Sequence, residues 1–145
     1  MARFNVTPED FLKGELADPG WHPAVIKNYE EKITQRKPTS PPDWTPSMYI
    51  EIQFKITAGK CKGQVKYQNY SEKAPSFMVP LLEAFGLKVN KKEGVEFEVS
   101  KEKLEGKTVD IHIIRGSFNN KPKDEIDGYK PYTGPALTGE VETPV

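Results

Sequence analysis

The sequence is poor in the residues that most often carry catalysis or bind metals. It has one cysteine, Cys61, which excludes an internal disulfide and is typical of a reducing, cytoplasmic setting. A zinc site needs about four Cys, His or carboxylate ligands at short spacing, and the two histidines, His22 and His112, with one cysteine far from both do not supply it. No phosphate-binding glycine loop or nucleophile elbow is present. The sequence therefore predicts no metal, no cofactor and no enzymatic activity.

Long hydrophobic runs are also missing. No stretch approaches the roughly 18 apolar residues that span a bilayer, and the first ten residues lack the apolar core of a secretory signal. We therefore expect a cytoplasmic protein that does not contact membranes. The length of 145 residues suits one domain that buries its core without disulfides.

Neither sign of charge dominates the chain. It has 21 basic and 21 acidic residues, which argues against a strongly basic nucleic-acid-binding protein. Residues 21–130, however, carry a surplus of four basic groups, and residues 21–70 alone account for that surplus. This distribution is compatible with an electropositive face, and the alternative is an evenly mixed solvated surface.

Alternating apolar and polar residues predict five strands. The clearest alternation is in residues 48–57. The other strands are predicted over residues 21–36, 64–70, 107–115 and 125–132. The residues predicted to face the core in the second and fourth strands are Ile50, Ile52, Phe54, Ile56, Val109, Ile111 and Ile113.

The third strand contains tyrosines on both of its faces. Its pattern predicts that Val65 and Tyr67 face the core, and that Lys66, Gln68 and Tyr70 face solvent.

Helical spacing and turn residues define the remaining elements. Apolar residues recur at intervals of three and four in residues 75–86, which predicts a helix that ends at a glycine. The proline-rich residues 37–46 and the Asn/Lys-rich residues 117–123 are predicted loops. Residues 1–19 are an N-terminal extension with a short helix from Thr7.

The element order predicts a mainly-β domain of the OB type over residues 20–132. Three strands, a helix and two strands follow one another, which is the order of a five-stranded Greek-key barrel with a helix between strands three and four. An SH3-like barrel is the alternative, but it offers no natural place for that helix. Residues 133–145 are predicted to be a flexible, mildly acidic tail.

Three segments give the sequence a resemblance to a known family. They are GWHPAVIK (residues 20–27), GKCKGQVKYQNY (residues 59–70) with the helix after it, and LEGKTV (residues 104–109) followed by a strand and Asn-Asn-Lys. In these glycines and apolar positions the chain resembles the small single-stranded DNA-binding proteins of bacteriophages, which have OB folds. The resemblance implies a role in phage replication or recombination. Such proteins often end in a strongly acidic tail that recruits partners, whereas here the tail carries two glutamates.

Aromatic residues and cations are interleaved as single-strand binding requires. Bases stack on exposed aromatic rings while cations follow the phosphate backbone. The first strand alternates imperfectly, so its tyrosine can face either side. The predicted stacking residues are Trp44, Tyr49, Tyr70, Phe118 and Tyr29. The predicted phosphate contacts are Lys55, Lys66, Arg115, Lys121 and Lys123.

Two other functions fit the same pattern. Exposed aromatics also form binding hot spots, so the barrel can be a protein-interaction or assembly module. It can also be an accessory subunit of a recombination enzyme. We expect single-stranded DNA as the main partner, with RNA not excluded, phage replication or recombination proteins as further partners, and a monomer or small homo-oligomer.

Overall fold

The computed structural model describes residues 1–7 and 15–134, and the chain forms a mainly-β fold in this part. The predicted N-terminal helix and nearly all of the predicted tail lie outside the described residues. The mainly-β class and the five strands are confirmed. The strands are β1 (Gly20–Ile33), β2 (Met48–Ile56), β3 (Val65–Ser71), β4 (Thr108–Phe118) and β5 (Lys121–Pro131). Between β3 and β4 lie a 3-10 helix (Pro75–Met78), α1 (Val79–Ala84) and α2 (Lys101–Leu104).

The five strands form one antiparallel sheet in the order β3-β2-β1-β4-β5. Strand β1 is central: it pairs with β2 along its second part and with β4 along its first part. Three consecutive strands with a fourth returning beside the first make a Greek key. The backbone pairing leaves β3 and β5 as the two edges of the sheet.

The core lies on the inner face of the sheet. All seven residues predicted to face inward from the second and fourth strands are buried, as their alternation predicts. Met78 and the α1 residues Leu81 and Leu82 are buried in the same cluster. The short helices therefore cover part of the core, and they do so with the helical spacing seen in the sequence.

A β-bulge in β1 explains its imperfect alternation. The pairing with β2 shifts register between Ile26 and Asn28, so one extra residue interrupts the alternation. After the shift, Tyr29 lies opposite the buried Ile52 and joins the core. The prediction of Tyr29 as a stacking residue is therefore wrong.

The predicted faces of β3 are wrong by one residue. Tyr70 is paired with Ile50 and Lys66 with Phe54, and directly opposed residues of antiparallel strands share a face. Tyr70 is accordingly 3% exposed, whereas Tyr67 is 52% exposed. A shift of one residue exchanges the two faces of a strand, so Tyr67 belongs to the surface and Tyr70 to the core.

Side chains join the two edges of the sheet. The Tyr70 and Tyr129 hydroxyl oxygens lie 2.5 Å apart, and the Lys66 ammonium lies 2.7 Å from an Asp124 carboxylate oxygen. These contacts connect β3 to β5 across the gap in the backbone pairing. The tyrosine pair also satisfies two hydroxyl groups that would otherwise be buried without partners.

The buried tyrosine pair makes stability sensitive to high pH. Burial raises the pKa of the Tyr129 hydroxyl from its ordinary value of 10.0 to about 12. As the pH rises, the unfolded chain therefore loses this proton before the folded protein does. The contribution of the protonated hydroxyl to the free energy of unfolding is complete below about pH 10 and is lost as the pH rises towards 12. Between about pH 9 and pH 11, the free energy of unfolding of Tyr129→Phe should fall by about 1 kcal/mol less than that of the wild type.

Urea unfolding at the two pH values measures this difference. Tyr67→Phe is the matched control, because Tyr67 is exposed. Its free energy of unfolding should fall between the two pH values by as much as that of the wild type. Equal losses in Tyr129→Phe and the wild type would contradict the prediction.

Candidate nucleic-acid interface

The hairpin between β4 and β5 turns through only two residues. Asn119 and Asn120 have positive φ angles of 52° and 64°, which asparagine tolerates better than most residues and which suit a type I′ hairpin turn. The strands consequently run up to Phe118 and restart at Lys121. The predicted loop over residues 117–123 is therefore wrong, because most of it is strand.

The end of this hairpin, residues 114–125, is a two-stranded structure that we call the β4–β5 ribbon. The pairing of β1 with β4 stops at Gly20 and Ile113, so within the described residues the ribbon strands pair only with each other. The ribbon therefore extends beyond the part of the sheet that covers the core.

One face of the β4–β5 ribbon carries an aromatic ring between two cations. Phe118 is paired with Lys121, and Lys123 with Gly116, so all four residues share a face. Phe118 is 63% exposed, and the Lys123 ammonium lies 5.7 Å from the centre of its ring. Neither lysine forms an ion pair with any described residue. This face can stack a base and hold the adjoining phosphates.

Arg115 and Lys66, two of the predicted phosphate contacts, are engaged by other groups of the protein. Arg115 points to the opposite face of the ribbon, where it donates to the Ala17 carbonyl at 2.5 Å and lies 3.3 Å from Asp124. Lys66 donates to the Glu15 carbonyl, and its side chain is only 11% exposed. The prediction that Lys66 faces solvent is wrong. Both cations instead hold residues 15–17 against the sheet.

The two buried tyrosines cannot stack on a base. The Tyr29 hydroxyl donates to Glu31 at 2.8 Å, and burial raises the pKa of this hydroxyl. Burial also raises the pKa of Tyr70, whose hydroxyl contacts Tyr129. The predicted stacking role of Tyr70 is therefore wrong for the same reason as that of Tyr29.

Three other predicted residues lie at the surface. Trp44 is half-buried in the β1–β2 loop, where the Arg36 guanidinium lies 5.9 Å from its ring centre. Tyr49 and Lys55 are half-buried on the outer face of β2, the face opposite the core. All three remain accessible in part, and Trp44 forms a second pair of an aromatic ring and a cation.

Sequence reasoning missed Trp21. It is 45% exposed, the Lys130 ammonium lies 4.4 Å from its ring centre, and the His112 ring lies 4.9 Å away. Its exposure could be predicted from the alternation of β1, because Trp21 is an odd number of residues from the buried Ala24 and so lies on the opposite face of the strand. The exposed Tyr67 was missed through the error in the faces of β3.

A cleft of about 560 Å³ lies away from these aromatic–cation pairs. Its lining includes the apolar residues Met48, Ile50 and Phe97. Its lining holds no cation and four glutamates, which would repel a phosphodiester backbone. The glutamates are Glu31, Glu72, Glu96 and Glu98.

Two chemical features are missing from residues 1–7 and 15–134. No three side chains of the His, Cys, Asp and Glu types lie close enough together there to hold a metal ion. No helix in the same residues has both the length and the apolar character needed to cross a membrane.

The chain was compared with protein-family models and with curated proteins. It matches no protein-family model, and no curated protein matches it. The functional interpretation therefore depends on the geometry of the side chains described above.

Proposed function

We propose that the protein binds single-stranded DNA with little sequence preference, and so protects or organises it during phage replication or recombination. The observation that carries the proposal is the exposed ring of Phe118 with Lys121 and Lys123 on the same face of the β4–β5 ribbon. Stacking accepts any base, because every base has a π-face, and each stacked base contributes about 1–3 kcal/mol.

The remaining surface aromatics extend this site. Trp44 with Arg36 offers a second stacking position, and Tyr49 and Lys55 offer a third group on the outer face of β2. Lys55, Lys121 and Lys123 are the proposed phosphate contacts. The strand order supports an OB-type barrel, which is a partly open Greek-key barrel whose first and last loops contact nucleic acid. The side-chain contacts between β3 and β5 support the same proposal.

The test is a fluorescence-anisotropy titration of labelled oligo-dT at several salt concentrations. Three phosphate contacts predict a slope of log K against log salt of about −2, since single strands give about −0.7 for each contact. Duplex DNA should not displace the oligonucleotide, and oligo-rU in the same assay reports the preference for DNA over RNA. No binding at low salt would refute the proposal and would favour a protein-interaction module.

A further inference from the structure

We propose that the bound strand continues from Phe118 along the outer face of β4 and β5 to a second stacking site at Trp21. This inference rests on the proposed function and assigns the path of the bound strand over the surface of the protein. It predicts that the nucleic acid follows β4 and β5 from one end to the other, as well as contacting the loops.

The alternation of β4 puts both aromatic residues on one face. His112, Ile114, Gly116 and Phe118 are alternate residues of this strand. The register shift beside His112 places its extra residue, Asp127, in β5, so the alternation of β4 is unbroken. Trp21 pairs directly with His112 and therefore shares its face.

The length of this face suits several nucleotides. Phe118 lies six positions after His112, which is about 20 Å along an antiparallel strand. One OB fold binds about 4–16 nucleotides, so a strand that reaches both aromatic rings lies within the range of known site sizes.

The surroundings of Trp21 prepare it to stack. Cη2 of its indole lies above Gly128, where a β-carbon would come within 3.6 Å of it. That separation is ordinary van der Waals contact, so the indole packs closely over this part of β5. The Lys130 ammonium rests over the indole at 4.4 Å. A stacking base takes the place of this ammonium, which then lies beside the adjoining phosphate.

Two of the acidic groups on this face, Asp127 and Asp110, are already engaged. Asp127 lies 2.5 Å from the His112 ring, and Asp110 is buried and accepts from the Thr133 hydroxyl at 3.4 Å. Glu125 lies over Gly116, between the two aromatic sites. Lys130, Lys121 and Lys123 form no ion pair with a described residue, so they are available to the phosphates along the face.

The two tryptophans of the chain allow a direct test in the full-length protein. Trp44→Phe leaves Trp21 as the only tryptophan, and titration with oligo-dT should quench its fluorescence as the base stacks. In the wild-type background, Trp21→Ala should weaken binding by anisotropy about 5- to 140-fold, which corresponds to the loss of one stacked base. Phe77→Ala is the matched control, since Phe77 is similarly exposed but lies on the 3-10 helix, and it should bind as the wild type does.

The outcomes separate this inference from the proposed function. If oligo-dT binds to the wild type but leaves Trp21 fluorescence unchanged and Trp21→Ala binds normally, the inference is overturned and the proposed function stands. If the wild type does not bind oligo-dT, the proposed function fails first. Quenching of Trp21 in the Trp44→Phe protein supports the inference even if Trp21→Ala does not fold, because Trp21 is intact in that variant.

Discussion

Replacing Asp124 with asparagine is expected to lower the free energy of unfolding by about 3–5 kcal/mol. This carboxylate lies 2.7 Å from the Lys66 ammonium and 3.3 Å from the Arg115 guanidinium, and it accepts from the Ala17 amide at 2.7 Å. The Asp124 and Lys66 side chains are 6% and 11% exposed. Removing the carboxylate charge leaves a nearly buried ammonium without its counter-charge.

Urea unfolding of Asp124→Asn against the wild type measures this loss. Asp18→Asn is the matched control, because the Asp18–Lys60 pair has a similar distance of 2.9 Å but is largely exposed. Exposed pairs contribute little, so the control should unfold at the wild-type urea concentration. Hydrogen exchange gives a second readout: the Ala17 amide should exchange faster in Asp124→Asn. Unchanged stability and exchange would show that Lys66 does not depend on this partner.

Removing the proposed binding face of the β4–β5 ribbon is expected to have the largest effect on DNA affinity. Phe118→Ala alone should raise the dissociation constant for oligo-dT about 5- to 140-fold, because one stacked base contributes about 1–3 kcal/mol. Lys121→Gln with Lys123→Gln should make the salt slope shallower by about 1.4, which is about 0.7 for each lost phosphate contact. Because the variants change different quantities, stacking and charge can be separated, and the triple variant should combine both losses.

The same anisotropy titration, repeated at several salt concentrations, tests each variant. Lys91→Gln with Lys92→Gln is the control, since it removes the same charge from exposed positions outside the ribbon and should keep the wild-type slope. Phe118, Lys121 and Lys123 are all exposed, so thermal unfolding should be little changed in all variants. Wild-type affinity in Phe118→Ala would contradict the proposal that the ribbon is the binding site.

The sequence predicts which residues of a strand face the core when apolar residues occur on only one face of that strand. In β2 the alternation of isoleucine and phenylalanine with polar residues is strict, and its inner face is fully buried. In β3 there is a tyrosine on each face of the strand, and the local pattern does not show whether Tyr67 or Tyr70 is the buried one. The choice depends on Tyr129, which lies 59 residues later in the chain and supplies the partner for the buried hydroxyl.

The candidate site was predictable only where exposure follows from local sequence. Phe118 and its two lysines lie near a turn, where side chains reach solvent, and the structure leaves all three exposed. Lys66 and Arg115 are also cationic, but the Asp124 carboxylate, 58 residues after Lys66 and directly opposite Arg115 in the hairpin, engages both. Composition reports which cations exist, whereas tertiary pairing decides which remain available to a ligand.

The central position of β1 has a consequence during synthesis of the chain. Its second part can pair with β2 soon after translation, but its first part pairs with β4, which begins 75 residues after β1 ends. The first part of β1 ends its pairing at Val25, 83 residues before Thr108, so at about 5–20 residues per second it waits about 4–17 s for its neighbour on the ribosome. Until then its edge is open to strands of other chains. The nascent protein is therefore most prone to aggregate before β4 emerges.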